Sequence, residues 1–192
     1  MRYNWLRLTA LPAIALALWS CDSPRQGDLQ ELVGPSARPS ASSSGNGYRL
    51  LRGNDGWIGT STALIGSGGG VLQLGEHELT VPSGAVSAPT LFTMTLEDAE
   101  HIRVELTATR ALLLGGTLDV GKAGFARPVR LKLGFARATE TFDVSTLSIA
   151  WTRPDGTLEV FPTEVNPSGK QARAELDHFS GYAVVVPRSG GE

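Results

Sequence analysis

The chain has 192 residues, 41% of them hydrophobic, and carries 17 Lys and Arg against 19 Asp and Glu, a formal charge of −2. That length favours one domain, and a mildly acidic balance sets up no broad field for nucleic acid or anionic lipid. There are 23 Gly and 11 Pro; both interrupt helices and populate turns, so short strands joined by many turns are favoured.

An apolar run from Leu8 to Trp19 follows Arg2 and Arg7. It is shorter than the ~20 residues a membrane-spanning helix needs. With small Ser20 at its end, residues 1–20 read as a secretory signal. Their removal leaves fifteen basic and nineteen acidic residues, about −4. The next residue, Cys21, is the only cysteine, so an intramolecular disulfide is excluded. Asp22 to Gly47 holds Pro24, Pro35, Pro39 and the run Ser40-Ala41-Ser42-Ser43-Ser44-Gly45-Asn46-Gly47. Such a segment has too few large apolar groups to offset the entropy of ordering it. It is predicted to be a tether with a reach of about 25–30 Å as a random coil.

Tyr48 to Arg52 reads as a preliminary strand within a tether drawn to residue 60, and the folded unit is placed at residues 61–188 with a tail of 189–192. Val71-Leu72-Gln73-Leu74, a loop at Gly75-Glu76-His77, and Glu78-Leu79-Thr80-Val81 predict a hairpin. Pro82-Ser83-Gly84-Ala85 ends it. From Thr90 to Leu96, Phe92, Met94 and Leu96 alternate with Leu91, Thr93 and Thr95, as in a half-buried strand. Ile102, Val104, Leu106 and Ala108 repeat the pattern, as do Val129, Leu131 and Leu133. Leu147–Thr152, Leu158–Phe161, Gln171–Leu176 and Tyr182–Val186 complete the series. Helical spacing is scarce after Gly47, the one helix-like stretch being Glu97 to Glu100. Nine or ten strands without helices predict an all-β, antiparallel β-sandwich. About 130 residues suffice for one core without disulfides.

Leu18-Trp19-Ser20-Cys21 resembles the bacterial lipoprotein lipobox. The resemblance implies that Cys21 is lipidated and becomes the mature N-terminus, so that the protein is anchored in a membrane of the bacterial cell envelope. Asp22 after it would suggest inner-membrane retention under the enteric sorting rule, which varies among bacteria. Three further segments resemble the ZU-five domain, the β-sandwich named for zona-occludens proteins and netrin receptors. They are Ile65-Gly66-Ser67-Gly68-Gly69-Gly70-Val71-Leu72, then Leu79-Thr80-Val81-Pro82-Ser83-Gly84-Ala85-Val86 with Pro89-Thr90, then His178-Phe179-Ser180-Gly181-Tyr182-Ala183-Val184. Together they bracket Ile65 to Pro187. The resemblance implies an interaction module, here with an unidentified envelope protein as partner.

The residues offer little catalytic chemistry. Gly68-Gly69-Gly70 leads into a strand pattern with no following Gly-Lys-Ser/Thr, so a nucleotide cradle is rejected. His77, His101 and His178 show no metal-ligand spacing, and His77 reads as a solvated loop residue between Glu76 and Glu78. Glu97, Asp98 and Glu100 lack the alternating calcium-loop pattern. No metal or cofactor is expected, and the expected function is non-enzymatic. Two alternatives stand. His178-Phe179-Ser180 resembles the self-cleavage site of death-domain adaptors and inflammasome proteins, which implies that Ser180 attacks the Phe179 carbonyl with His178 moving the proton. In the structural reading of the same triplet, Phe179 packs inward. A carbohydrate-binding or hydrolytic sandwich would need a stacking platform, for which Trp57 and Trp151 are the only tryptophans beyond the signal.

Overall fold

A computed structural model describes residues 47–54, 58–96 and 99–188. The fold is an antiparallel β-sandwich, as the alternation predicts. One sheet contains β1 (Tyr48–Leu50), β2 (Gly59–Ile65), β5 (Thr90–Leu96), β6 (Arg103–Ala111), β7 (Thr117–Asp119), β9 (Ser148–Thr152), β10 (Leu158–Val160) and β13 (Gly181–Pro187). Its order is β10-β9-β13-β6-β5-β2, with β1 also on β13 and β7 also on β6. The second sheet contains β3 (Gly70–Leu74), β4 (His77–Val81), β8 (Val129–Gly134), β11 (Glu164–Asn166) and β12 (Gln171–Leu176), in the order β11-β12-β8-β4-β3. One helical turn, α1 (Val120–Ala123), follows β7, with the Asp119 side chain accepting the Lys122 N–H at its start.

The core lies between the two inner faces. Phe92, Met94 and Leu96 of β5, with Val104, Leu106 and Ala108 of β6, face Leu79 and Val81, Leu131 and Leu133, and Leu176 of the second sheet; all are buried. Period-2 alternation makes this arrangement obligatory, since a one-residue slip would turn each apolar row to solvent.

The chain crosses between sheets at sharp turns whose residues follow from backbone geometry. Between β2 and β3, Gly69 has φ +78°, and a Cβ there would sit 2.6 Å from the Val81 carbonyl oxygen. Only glycine tolerates both the left-handed backbone and the close approach. Between β4 and β5, Pro82 stands just past the strand, and Gly84 takes φ +80°, a left-handed turn position. The last crossing, from β12 to β13, is Asp177-His178-Phe179-Ser180.

The structure differs from the sequence reading in three places. The sandwich starts before residue 61. Strand β6 pairs with only Gly181–Ala183 of β13, and β1 takes the rest of that edge by pairing with Val185–Pro187. Leu51 is fully buried, and its N–H donates to the Val184 carbonyl at 2.9 Å. His77 is not a loop residue. It opens β4 opposite Leu74, is 1% exposed, and its Nδ1 accepts the Gly134 N–H at 3.3 Å. Glu76 and Glu78 suggested solvent, yet Leu79 and Val81 face inward, and position 77 shares their side of the strand. Finally, β7, β11 and α1 are too short to leave a periodic signal.

Candidate functional site

The crossing segment 177–180 forms one wall of a cavity of about 600 Å³. The end of β9 and the turn 153–156 form another, with Arg103 and Glu105 of β6 and Lys122 of α1 completing it. Asp155 shapes the turn: its carboxylate accepts the Thr157 N–H at 2.9 Å and the Thr157 hydroxyl at 2.7 Å. Both bonds favour the anion and hold the Asp155 carboxyl below its ordinary range. Gly156 supplies the left-handed position at φ +81°.

Phe179 anchors the crossing. It is 4% exposed and meets Phe92 at 5.8 Å and Phe125 at 4.6 Å between ring centroids, both edge-on. Its N–H donates to the Gly121 carbonyl at 2.9 Å. Gly121 is required there, because a Cβ would lie 2.9 Å from the Phe179 Cβ. The inward packing expected of Phe179 is therefore present. Two residues on, Gly181 pairs with both Glu105 and Thr152. A Cβ at Gly181 would lie 2.8 Å from Glu105 Oε2, so glycine lets the β6 side chains close over the backbone.

Fixing Phe179 brings its two neighbours to the cavity. His178 Nδ1 lies 2.8 Å from Asp177 Oδ1 and donates to that carboxylate, which leaves Nε2 as the acceptor nitrogen of the neutral ring. The His178 ring stands edge-on to Trp151 at 4.9 Å, and the Arg153 guanidinium lies over the Trp151 ring at 4.8 Å. Arg153 is itself ion-paired with Glu159. Behind this layer the Tyr182 hydroxyl donates to the His178 carbonyl at 2.8 Å. Burial raises the Tyr182 phenol far above its ordinary range, Asp177, Glu105 and Glu159 add to the rise, and the Ser180 hydroxyl beside it acts the other way.

Four polar atoms in these walls are buried without a regular hydrogen bond: Trp151 Nε1, Thr152 Oγ1, His178 Nε2 and Ser180 Oγ. Buried polar groups are nearly always paired, because an unpaired one loses its hydration and gains nothing. Their residues come from two segments more than 25 residues apart and line one cavity, with the four atoms themselves just beneath its surface. Trp Nε1–H only donates, and the two hydroxyls can donate. His178 Nε2 accepts, and Arg103, Glu105 and Lys122 stand beside them, so the wall suits a group that carries both donors and acceptors, such as an amide.

The remaining candidate residues are dispersed. His77 is in the second sheet's core, and His101 forms an isolated bridge with Arg52 ahead of β6. Among the described residues, no group of three or more His, Cys, Asp or Glu is placed to hold a metal ion. Glu97 and Asp98 lie outside the described residues, as do Cys21 and Trp57. His178 and Ser180 share the cavity but make no hydrogen bond to each other. Trp151 is half-buried, with Arg153 over its ring and His178 edge-on to it. The meeting of Trp151 with His178 had no sequence signal, since nothing local links β9 to the β12–β13 crossing. No family model matches the chain, and no curated protein matches it.

Proposed function

We propose that the chain is a lipid-anchored, non-enzymatic interaction domain of the bacterial cell envelope. Acylated Cys21 holds it to a membrane, and the cavity at Trp151, Thr152, His178 and Ser180 takes a polar group of an envelope protein. The observation that carries this reading is the cluster of four buried polar atoms without regular partners in one concave wall. A surface that only had to stay folded would replace them with apolar groups at a gain. The likeness of three segments to the ZU-five family supports an interaction module, and the short apolar run before Cys21 supports the anchor. The test is recovery of partners from native membranes with the intact lipoprotein, compared with a Trp151→Ala, Thr152→Val variant. A specific partner captured by the parent and lost by the folded variant supports the reading; capture unchanged by the variant removes the cavity from it. Cys21→Ser tests the anchor separately, since it should release the protein or stall it as precursor.

One observation favours a second reading. Ser180 Oγ and His178 Nε2 are both buried without a regular hydrogen bond and belong to the residues on either side of Phe179. In self-cleavage, Ser180 Oγ would add to the Phe179 carbonyl carbon, the C–N bond would break to an ester, and water would hydrolyse it. His178 would take the hydroxyl proton and return it to the leaving amine. Against this, the segment is held at both sides by regular backbone bonds, Phe179 N–H to Gly121 and Leu106 N–H to the Ser180 carbonyl at 3.1 Å.

A further inference from the structure

Large apolar side chains are exposed at eight described positions, and six of them belong to one end of the first sheet: Leu64 at the end of β2, Leu91 at the start of β5, and Leu112, Leu113, Leu114 and Leu118 of the β6–β7 hairpin. The register sets their strands side by side: Leu64 pairs with Leu91, Leu91 with Thr109, and Thr109 with Asp119 of the hairpin. Beyond Ala111 the hairpin projects past its neighbours. Its tip is Leu112-Leu113-Leu114-Gly115-Gly116, closed by the Leu112 N–H on the Gly116 carbonyl at 3.1 Å. Both glycines have φ near +89°, a conformation that fixes the turn and leaves Leu113 and Leu114 fully exposed.

The charges of this corner differ from those of the chain as a whole. The loops at 66–70 and 82–89 carry none. Arg110 donates to Ser87 Oγ at 3.3 Å, and Arg127 to the Ser83 carbonyl at 3.0 Å, which ties both cations to those loops. Lys122 stands at the hairpin's base. Facing these three cations are Asp119, paired with Lys122, and at the margin Asp177, paired with His178. An apolar tip with a cationic collar thus sits on a protein whose net charge is −2.

We infer that this corner docks on a lipid bilayer that contains anionic phospholipid, with Leu113 and Leu114 inserted among the acyl chains and Arg110, Lys122 and Arg127 at the headgroups. A projecting tip has no concavity to offer a protein side chain, whereas a bilayer accepts convex apolar groups without a matching pocket. The cations complement anionic headgroups. The reach is compatible with the anchor proposed at Cys21, although the inference does not depend on it. Tyr48, paired with Pro187, is at the far end of the sheet from the hairpin tip, about 45 Å away along the strands. The 26 residues from Asp22 to Gly47 can span at most about 90 Å.

The test uses the chain from Asp22 onward, which keeps every described residue and removes both the apolar signal and the only cysteine. Co-sedimentation with phosphatidylcholine vesicles containing phosphatidylglycerol is compared between this chain and its Leu113→Ser, Leu114→Ser variant. Leu113→Cys, labelled with an environment-sensitive dye, gives a second readout. Binding weakened about tenfold or more by the double substitution, weaker on phosphatidylcholine alone, and a dye that brightens on anionic vesicles are the expected results. Absent binding, or binding indifferent to the double substitution, overturns the inference. So does self-association abolished by the substitution without vesicle binding, which would make the tip a contact between copies. Because Cys21 is missing throughout, failure here leaves the anchor untouched, and unchanged membrane partition of full-length Cys21→Ser would refute the anchor without bearing on the tip.

Discussion

The cavity at His178 and the hairpin tip at Leu113 break the burial rule in opposite directions. One hides polar atoms without regular partners, while the other exposes apolar side chains without cover. Helix α1 borders both: its Lys122 lines the cavity, and its capping residue Asp119 ends β7 of the hairpin. Elsewhere the inner faces of both sheets follow the rule, with buried Glu76 Oε1 and exposed Ile58 as scattered exceptions. Phe179, at the centre of the crossing segment, packs among Phe92 and Phe125 as a core residue should. Departures from local consistency mark places where something other than stability shaped the residues. The two regions therefore differ in how they should respond to substitution, and that difference can be measured.

The largest effect belongs to neither region but to the core that separates them. Phe179→Ala removes a ring from a three-ring cluster and should lower stability by about 3–5 kcal/mol, read as the shift of a thermal or urea midpoint. A loss below about 1 kcal/mol would show that the crossing is not anchored by that ring. In the cavity the sign reverses. Thr152→Val replaces a buried hydroxyl that lacks a regular partner by a methyl of similar shape, and should raise stability by about 1 kcal/mol. A destabilisation of that size would mean that the hydroxyl is satisfied in solution and that the cavity wall is an ordinary one.

Acid sharpens the contrast with a conventional polar contact. Burial pushes the Glu140 carboxyl up, but the Arg49 guanidinium and the Arg52 N–H outweigh it and hold it below its ordinary value. The folded-state pKa is thus lower than the unfolded one. The stabilisation is complete above the usual glutamate range and is lost as pH falls through and below it. Arg49 is more than a third exposed, so solvent screens the pair, and Glu140→Gln should cost about 1 kcal/mol or less near neutrality. The difference between parent and variant should shrink as pH falls through and below the glutamate range in a urea series. A difference that persists there would assign the loss to packing. The smallest effect is expected at the hairpin. Leu113→Ser with Leu114→Ser should leave the midpoint unchanged within about 0.5 kcal/mol, because side chains already in water lose no burial. A clear destabilisation would mean that the tip is part of the fold.

The alternation of Phe92, Met94 and Leu96 with Leu91, Thr93 and Thr95 makes β5 legible from sequence, and the same holds for β8 and β12. Phe179 and Gly84 were legible through local chemistry, one as an aromatic between polar neighbours, the other as a turn glycine. His77 was misread because its charged neighbours outweighed the parity of Leu79 and Val81. Residues 47–54 were misread because their burial depends on the free edge of β13, more than 130 residues later. The meeting of Trp151, His178 and Ser180 is likewise a product of topology. The Leu112-Leu113-Leu114-Gly115-Gly116 run did carry a signal, since three consecutive leucines before paired glycines fit neither alternation nor a polar turn.

Denaturing intact-mass spectrometry of the protein extracted from its native membrane bears most directly on the reading of a lipid-anchored, non-enzymatic domain. The predicted result is one species that begins at Cys21, carries acyl chains and is uncut between Phe179 and Ser180. A fragment beginning at Ser180 that disappears with Ser180→Ala would make this an autoproteolytic domain, and an unacylated chain would contradict the anchor.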